Sequence, residues 1–260
     1  MTHHVALVTG AASGIGVSAS SPVGLFENSI FAPRLACAKE FFETGCSVAL
    51  CDIDETKGIQ EAHNLNSVAK DGQKAAFFKA DLSKPEDTRT LVSRTVSPVE
   101  DFPEDKWRFM MELMLNAPFV LTQTALPGMY KNGWGRIINI GSIHAHVASP
   151  YKSAYVTAKH GLLGLTKTVA LEGAEKGVTC NMISPSYVRT PLVENQLQGQ
   201  ADLHNMSVED VITKVMLAPA AIKKLLEPIE VAKFAAYLVS DYGSGITGSA
   251  HSIDCGWTAR

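Results

Sequence analysis

The sequence predicts an α/β fold in which helices cover both faces of a mostly parallel sheet. Three observations carry that prediction. Short, nearly continuous apolar runs recur along the 260 residues, they alternate with segments of helical spacing, and a glycine-rich turn follows the first of them. Strands buried on both faces read as unbroken apolar runs rather than alternating ones, and burial on both faces is the mark of a doubly wound parallel sheet.

The elements follow in order. "VALVTG" (5–10) is the first strand, and "LACAKEFFETG" (35–45) has helical spacing that closes on Gly45. "CSVALCD" (46–52) and "AAFFKADLS" (75–83) are the next strands, with Pro85 in the first turn of a following helix. "DKWRFMMELMLNAPFVLTQTALPGM" (105–129) reads as one long helix, "GRIINIGS" (135–142) as a strand, and "SAYVTAKHGLLGLTKTVALEGAEKG" (153–177) as a second long helix. "VTCNMISP" (178–185) and "SAHSIDCG" (249–256) are the last strands. Residues 187–226 break the rhythm with Gln, Asn and Met before the helical "SVEDVITKVML", where Ser207 and Asp210 predict an N-cap. A long excursion at a strand's carboxyl end is where an α/β enzyme places a substrate lid. With no internal repeat and no low-complexity segment, residues 1–260 read as a single domain.

Composition narrows the function. The chain is 46% hydrophobic and 19% charged, with net charge −3, so it carries no electrostatic footprint for nucleic acid. No run approaches the ~20 apolar residues of a membrane span. "MTHHVALVTG" enters a strand directly, without a signal-peptide pattern. Five cysteines (Cys37, Cys46, Cys51, Cys180, Cys255) lack metal-type pairing and read as reduced thiols of a cytoplasmic protein.

Two constellations carry chemistry. In "TGAASGIG" (9–16), Gly10 suits a tight turn, Gly14 lets backbone approach a phosphate and Gly16 permits close helix packing, with Ser13 and Ile15 between them. A helix starting there aims its N–H groups at a pyrophosphate, although a plain βα loop uses the same residues. Asp52 ends the second strand, where a carboxylate grips a ribose 2′-hydroxyl and repels a 2′-phosphate. That favours NAD over NADP; Asp54 is the alternative, and a helix cap is the other reading of Asp52. The spacing is irregular: Asp52 lies 36 residues beyond Gly16 rather than ~20, and the surplus, 17–34, has loop composition.

The second constellation is "SIHAHVASPYKSAYVTAKH" (142–160). Tyr155 and Lys159, four apart on a helix, share a face. A free phenol has a pKa near ~10, and an adjacent ammonium lowers it. Ser142 ends the preceding strand, with a hydroxyl able to polarise a substrate oxygen. Together they form an acid–base couple for an alcohol whose hydride goes to a nicotinamide. His144 and His146 lack the carboxylate or cysteine company of a metal site, and His146 and His160 read as structural. Trp257 is a pocket wall or, equally, a core aromatic.

With "TGAASGIG", "ADL" (80–82), Tyr155-x-x-x-Lys159 and "NMISPSYVRTP" (181–191), the chain resembles the classical short-chain dehydrogenase/reductase family, Rossmann-like in fold. From residue 96 onward it is similar to the D-3-hydroxybutyrate dehydrogenases within it. The resemblance implies that Ser142, Tyr155 and Lys159 are catalytic and that Lys159 also holds the nicotinamide ribose. It places Val188 and Thr190 at the carboxamide end of NAD and Asp81 and Leu82 at the adenine. It assigns His144, Lys152 and Gln196 to the carboxylate of a small hydroxy or keto acid, and it implies a homotetramer. The chain also departs from the family. "DTRTLVSRT" runs directly into "VSPVEDFP", leaving no room for the fourth strand, its Asn-Asn-Ala-Gly motif or a substrate-contacting glutamine after it. The family's catalytic asparagine aligns with Met114, with Asn116 facing away, and Ser186 replaces a glycine. Two other readings therefore stay open: a catalytically impaired nucleotide-binding or subunit-pairing protein, and a reductase of another small carbonyl compound.

Overall fold

The computed structural model describes residues 5–9, 32–52, 54–70, 72–79 and 97–259. The predicted α/β architecture is present, with every strand pair parallel. By contact the chain falls into two compact units, each assembled from separate segments.

The first unit takes in the chain up to Leu82 together with Val188–Val211 and Leu225–Ala236. Its strands β1 (Val5–Thr9), β2 (Ser47–Asp52) and β3 (Ala75–Lys79) pair in the order β1-β2-β3. The register runs from Val5 opposite Ser47 and from Val48 opposite Ala75. Helix α1 (Ala32–Glu43) buries Cys37, Ala38, Phe41 and Phe42. Helix α2 (Glu55–Asn66) was not evident from periodicity, because "ETKGIQEAHNLN" is almost wholly polar. Local bonds define it instead. Asp54 caps its start by accepting from Lys57 N at 3.1 Å, and at its end the Asn66 amide bonds both Ala75 O (2.7 Å) and Ala75 N (2.8 Å). Gly58 is required by close packing, since a Cβ there would sit 1.9 Å from the Phe77 ring. The buried carboxylate of Glu40 pairs with Lys233, 3.1 Å away on α7 (Pro228–Val239).

The second unit takes in Ser83–Tyr187, Ile212–Lys224 and Tyr237–Arg260. Here β4 (Gly135–Ile140), β5 (Val178–Pro185) and β6 (Ala250–Ile253) pair in the order β4-β5-β6. All eight residues of β5 are buried. The Asn181 amide pins β6 beside it, donating to Ile246 O at 2.7 Å and accepting from Ser249 N at 3.2 Å. Helix α5 (Ser153–Gly173) lays Ala154, Ala158, Leu162, Val169 and Ala170 into the core, on the i, i+4 spacing of one helical face. Met182 joins Leu162 there, and Cys180 packs against Val169 and Ala170. Burial pushes the Cys180 thiol up to about 12.

Three expectations change. The helix expected over 105–129 is α3 (Glu104–Met111), a π-helical turn at Glu112–Asn116, and α4 (Ala117–Asn132). The π turn presses Leu115 towards α5, where a Cβ on Gly161 would come within 2.9 Å of Leu115 Cδ2. The strand expected over 135–142 stops at Ile140, and that over 249–256 spans only 250–253. The excursion at 187–226 holds a helix, α6 (Pro191–His204), capped by Thr190 with Pro191 in its first turn. Ser207 caps the next turn as expected, accepting from Asp210 N at 3.1 Å.

Among the described residues the strands form two three-stranded sheets. Among the described residues, no strand pairs with β1 opposite β2, nor with β4 opposite β5. The middle four residues of β4 are only half-buried, as befits an edge strand. The join at 80–96, where the fourth strand is lacking in sequence, and most of the surplus at 17–34 lie outside the described residues.

Candidate active site

The second unit gathers the predicted acid–base residues at the carboxyl edge of its sheet. Gly141 continues β4 and donates to Ile183 O at 2.7 Å. Ser142 follows in extended conformation and caps a 3-10 turn, Ile143–Ala145, its Oγ accepting from His144 N at 3.2 Å. That bond uses a lone pair and leaves the hydroxyl proton available to a substrate oxygen. Tyr151, at φ 66°, reverses the chain before Lys152 and α5. A non-glycine residue in that region stores strain, which clusters at functional sites.

Helix α5 then delivers Tyr155 and, one turn on, Lys159. Lys159 is 1% exposed, and its Nζ donates to Ile140 O at 3.0 Å, the last residue of β4. The same ammonium lies 5.7 Å from the centre of the Tyr155 ring. The lysine thus ties α5 to the strand end while setting its amine near the Tyr155 ring. An ammonium beside a phenol favours the phenolate.

His144 is buried among aromatic rings. It is 7% exposed, with its ring edge-on to Tyr155 at 5.8 Å and to Trp257 at 6.2 Å. Burial, and then the nearby Lys152 ammonium, push its pKa down to about 4, so at neutral pH it is an uncharged imidazole. Burial also lowers the pKa of Lys152. His146 bonds Ser184 Oγ at 3.1 Å, and His160 bonds Val156 O on its own helix; both serve structure, as expected. Among the described residues no cluster of His, Cys, Asp or Glu is arranged to hold a metal.

Of the predicted cofactor residues, Asp52, Val188 and Thr190 lie in the first unit. Asp52 closes β2, is 3% exposed and accepts from Asp54 N at 2.9 Å through Oδ1. The two readings of these aspartates are thereby separated, since Asp54 is the helix cap and Asp52 the carboxylate at the strand end. A buried carboxylate there fits the ribose of a dinucleotide. Val188 is buried and bridges to Leu226, and Thr190 is buried as the cap of α6. Gln196 lies on α6. Gly10, Ser13, Gly14, Ile15, Gly16, Asp81 and Leu82 fall outside the described residues.

Met114 sits on the π turn and is 5% exposed. Asn116 faces solvent, its amide donating to Glu112 Oε2 at 2.7 Å. The asparagine nearest the aligned position is therefore unavailable to the site, as expected from helical geometry.

Comparison with known proteins identifies the chain's family. Residues 35–258 match the family described as enoyl-(acyl carrier protein) reductase, a branch of the short-chain dehydrogenase/reductases. D-β-hydroxybutyrate dehydrogenase of Rhizobium meliloti is 38% identical, over 98% of both chains. That of Cupriavidus necator is 33% identical, also over 98% of both. The first alignment extends over 273 positions against the 260 residues here, so part of the relative has no counterpart in this chain. A solved acetoin dehydrogenase from Salmonella typhimurium is 26% identical, covers 99% of this chain and 98% of its own, and superposes with a TM-score of 0.73. The chain belongs to the short-chain dehydrogenase/reductase family of NAD(P)-dependent oxidoreductases. No helix among the described residues is long and apolar enough to cross a membrane.

Proposed function

We propose that the protein oxidises D-3-hydroxybutyrate to acetoacetate with NAD, reversibly. The observation that carries the reading is the Tyr155–Lys159 couple beside Ser142, in a chain 38% identical throughout to a hydroxybutyrate dehydrogenase. The phenolate of Tyr155 takes the proton of the C3 hydroxyl, and Lys159 holds that phenol in its reactive state. Ser142 donates to the same oxygen as its carbon becomes a carbonyl. Lys152 supplies the positive charge that orients a short hydroxy acid, which offers little other surface to grip. Asp52, Val188, Thr190 and Lys159 would hold NAD, which supplies the hydride acceptor. The carboxylate of Asp52 selects NAD because a 2′-phosphate would face a buried negative charge. A tetramer accompanies the reading on family resemblance, and a cytoplasmic location on the absence of metal-type cysteine spacing in the sequence.

One observation favours a second reading, a slow or impaired enzyme. The thioether of buried Met114 cannot hold a water for proton relay, so the proton on Tyr155 lacks the family's exit. The test is NADH formation from D-3-hydroxybutyrate, with the L-enantiomer as control. Stereospecific turnover supports the first reading. Tight NADH binding without turnover of any small alcohol supports the second. Faster turnover of uncharged alcohols than of the hydroxy acid would overturn the carboxylate assignment.

A further inference from the structure

The chain enters the first unit at Val188 and again at Leu225. The two segments meet there. Val188 bridges to Leu226, and Arg189 N donates to Leu226 O at 2.7 Å. Val188 and Thr190 are buried while Arg189 between them is exposed, the alternation of an extended chain. In such a chain a slip of one residue exchanges the two faces, and Val188 and Thr190 would turn outward. An isolated bridge offers few backbone bonds to hold that register.

The side chain of Arg189 supplies what the backbone lacks. Its Nε donates to Glu227 Oε1 at 2.9 Å, and its Nη1 donates to Glu194 Oε1 at 2.9 Å. Glu227 immediately precedes α7, and its own N–H donates to Glu230 Oε2 at 2.8 Å. Glu194 lies in the first turn of α6, its N–H donating to Thr190 O at 2.9 Å. One planar guanidinium thus joins the starts of two helices. The two carboxylates are 49% and 52% exposed, so the pairs add little stability. What they fix is direction. They hold Arg189 outward, and with it Val188 and Thr190 inward.

We infer that Arg189 is a positioning residue for the nicotinamide end of the cofactor, its two ion pairs setting Val188 and Thr190 against the carboxamide. The inference rests on the NAD reading above.

The test compares NADH with ADP-ribose, which lacks the nicotinamide ring, by calorimetric titration of the full chain. Arg189→Ala is expected to raise Kd for NADH about tenfold and Kd for ADP-ribose less than about twofold. Arg189→Lys keeps the charge without the fork and should fall between the parent and the alanine variant. Glu194→Gln and Glu227→Gln should each give part of the NADH effect. Neither should add to it in combination with Arg189→Ala, because the shared partner is already gone. Where Arg189→Ala folds poorly, the two glutamine variants carry the same comparison. Equal losses for the two ligands, no loss for either, or additive effects of the glutamate variants would overturn the inference alone. A parent that binds ADP-ribose as tightly as NADH, or binds neither, would overturn the cofactor assignment of Val188 and Thr190 and the inference with it.

Discussion

The two sheets end in carboxyl edges whose chemistry draws on sequence in different ways. At the β4-β5-β6 edge, Ser142, His144, Tyr155 and Lys159 are in place, and the Lys159 ammonium is bonded to the last residue of β4. At the β1-β2-β3 edge, Asp52 is placed and capped by Asp54 N, while the glycine turn belongs to a stretch whose spacing is 16 residues longer than the ~20 usual for this fold. The difference shows what each chemistry depends on. The acid–base couple needs one helical turn and one strand end, which short-range geometry supplies. The phosphate site needs a strand, a turn and a helix start in strict succession, a longer-range requirement.

The comparison can be sharpened by substitution at either edge. Tyr155→Phe is expected to lower kcat about 10³–10⁴-fold while NADH binding, followed by fluorescence, changes only a few-fold. Activity near that of the parent would remove the base assignment. Ser142→Ala should cost about 10²-fold in kcat, as for loss of one donor to a developing oxyanion. At the other edge, Asp52→Asn should raise KM for NAD by tenfold or more and shift preference towards NADP. An unaltered NAD/NADP ratio would mean that Asp52 is structural. Met114→Asn should raise kcat, by about tenfold if proton exit limits the reaction; no gain would mean that another route carries the proton.

The smallest expected effect concerns stability. The pKa of His144 falls from 6.5 unfolded to about 4 folded, so between those values the unfolded chain binds the extra proton. The histidine's share of stability is then complete above pH 6.5 and is lost as pH falls towards 4. Melting curves across that window should show a steeper decline for the parent than for His144→Gln, by at least about 2–4 °C. Parallel declines would contradict the burial of a neutral ring.

Much of this organisation was legible beforehand, for physical reasons. Apolar strands such as "VTCNMISP" are buried end to end, and a tyrosine and lysine four apart on an apolar helix must share a face. Helix α2 escaped notice because its polar sequence is held by the Asp54 cap and the Asn66–Ala75 bonds, which periodicity does not report. Helix α6 is Gln- and Asn-rich, although Thr190 and Pro191 signal its start. The π turn at Glu112–Asn116 shifts backbone bonding without altering the apolar pattern, and it became visible only when the helix packed on α5. The neutral state of His144 depends on neighbours distant in sequence.

The most direct test of the central claim is the pH dependence of kcat/KM for D-3-hydroxybutyrate at saturating NAD, in the parent and in Lys159→Met. If the ammonium keeps the phenol poised, the acid limb of the parent lies below the value of about 10 for a free phenol and moves up towards it in the variant. An acid limb at the same pH in both proteins would contradict the account.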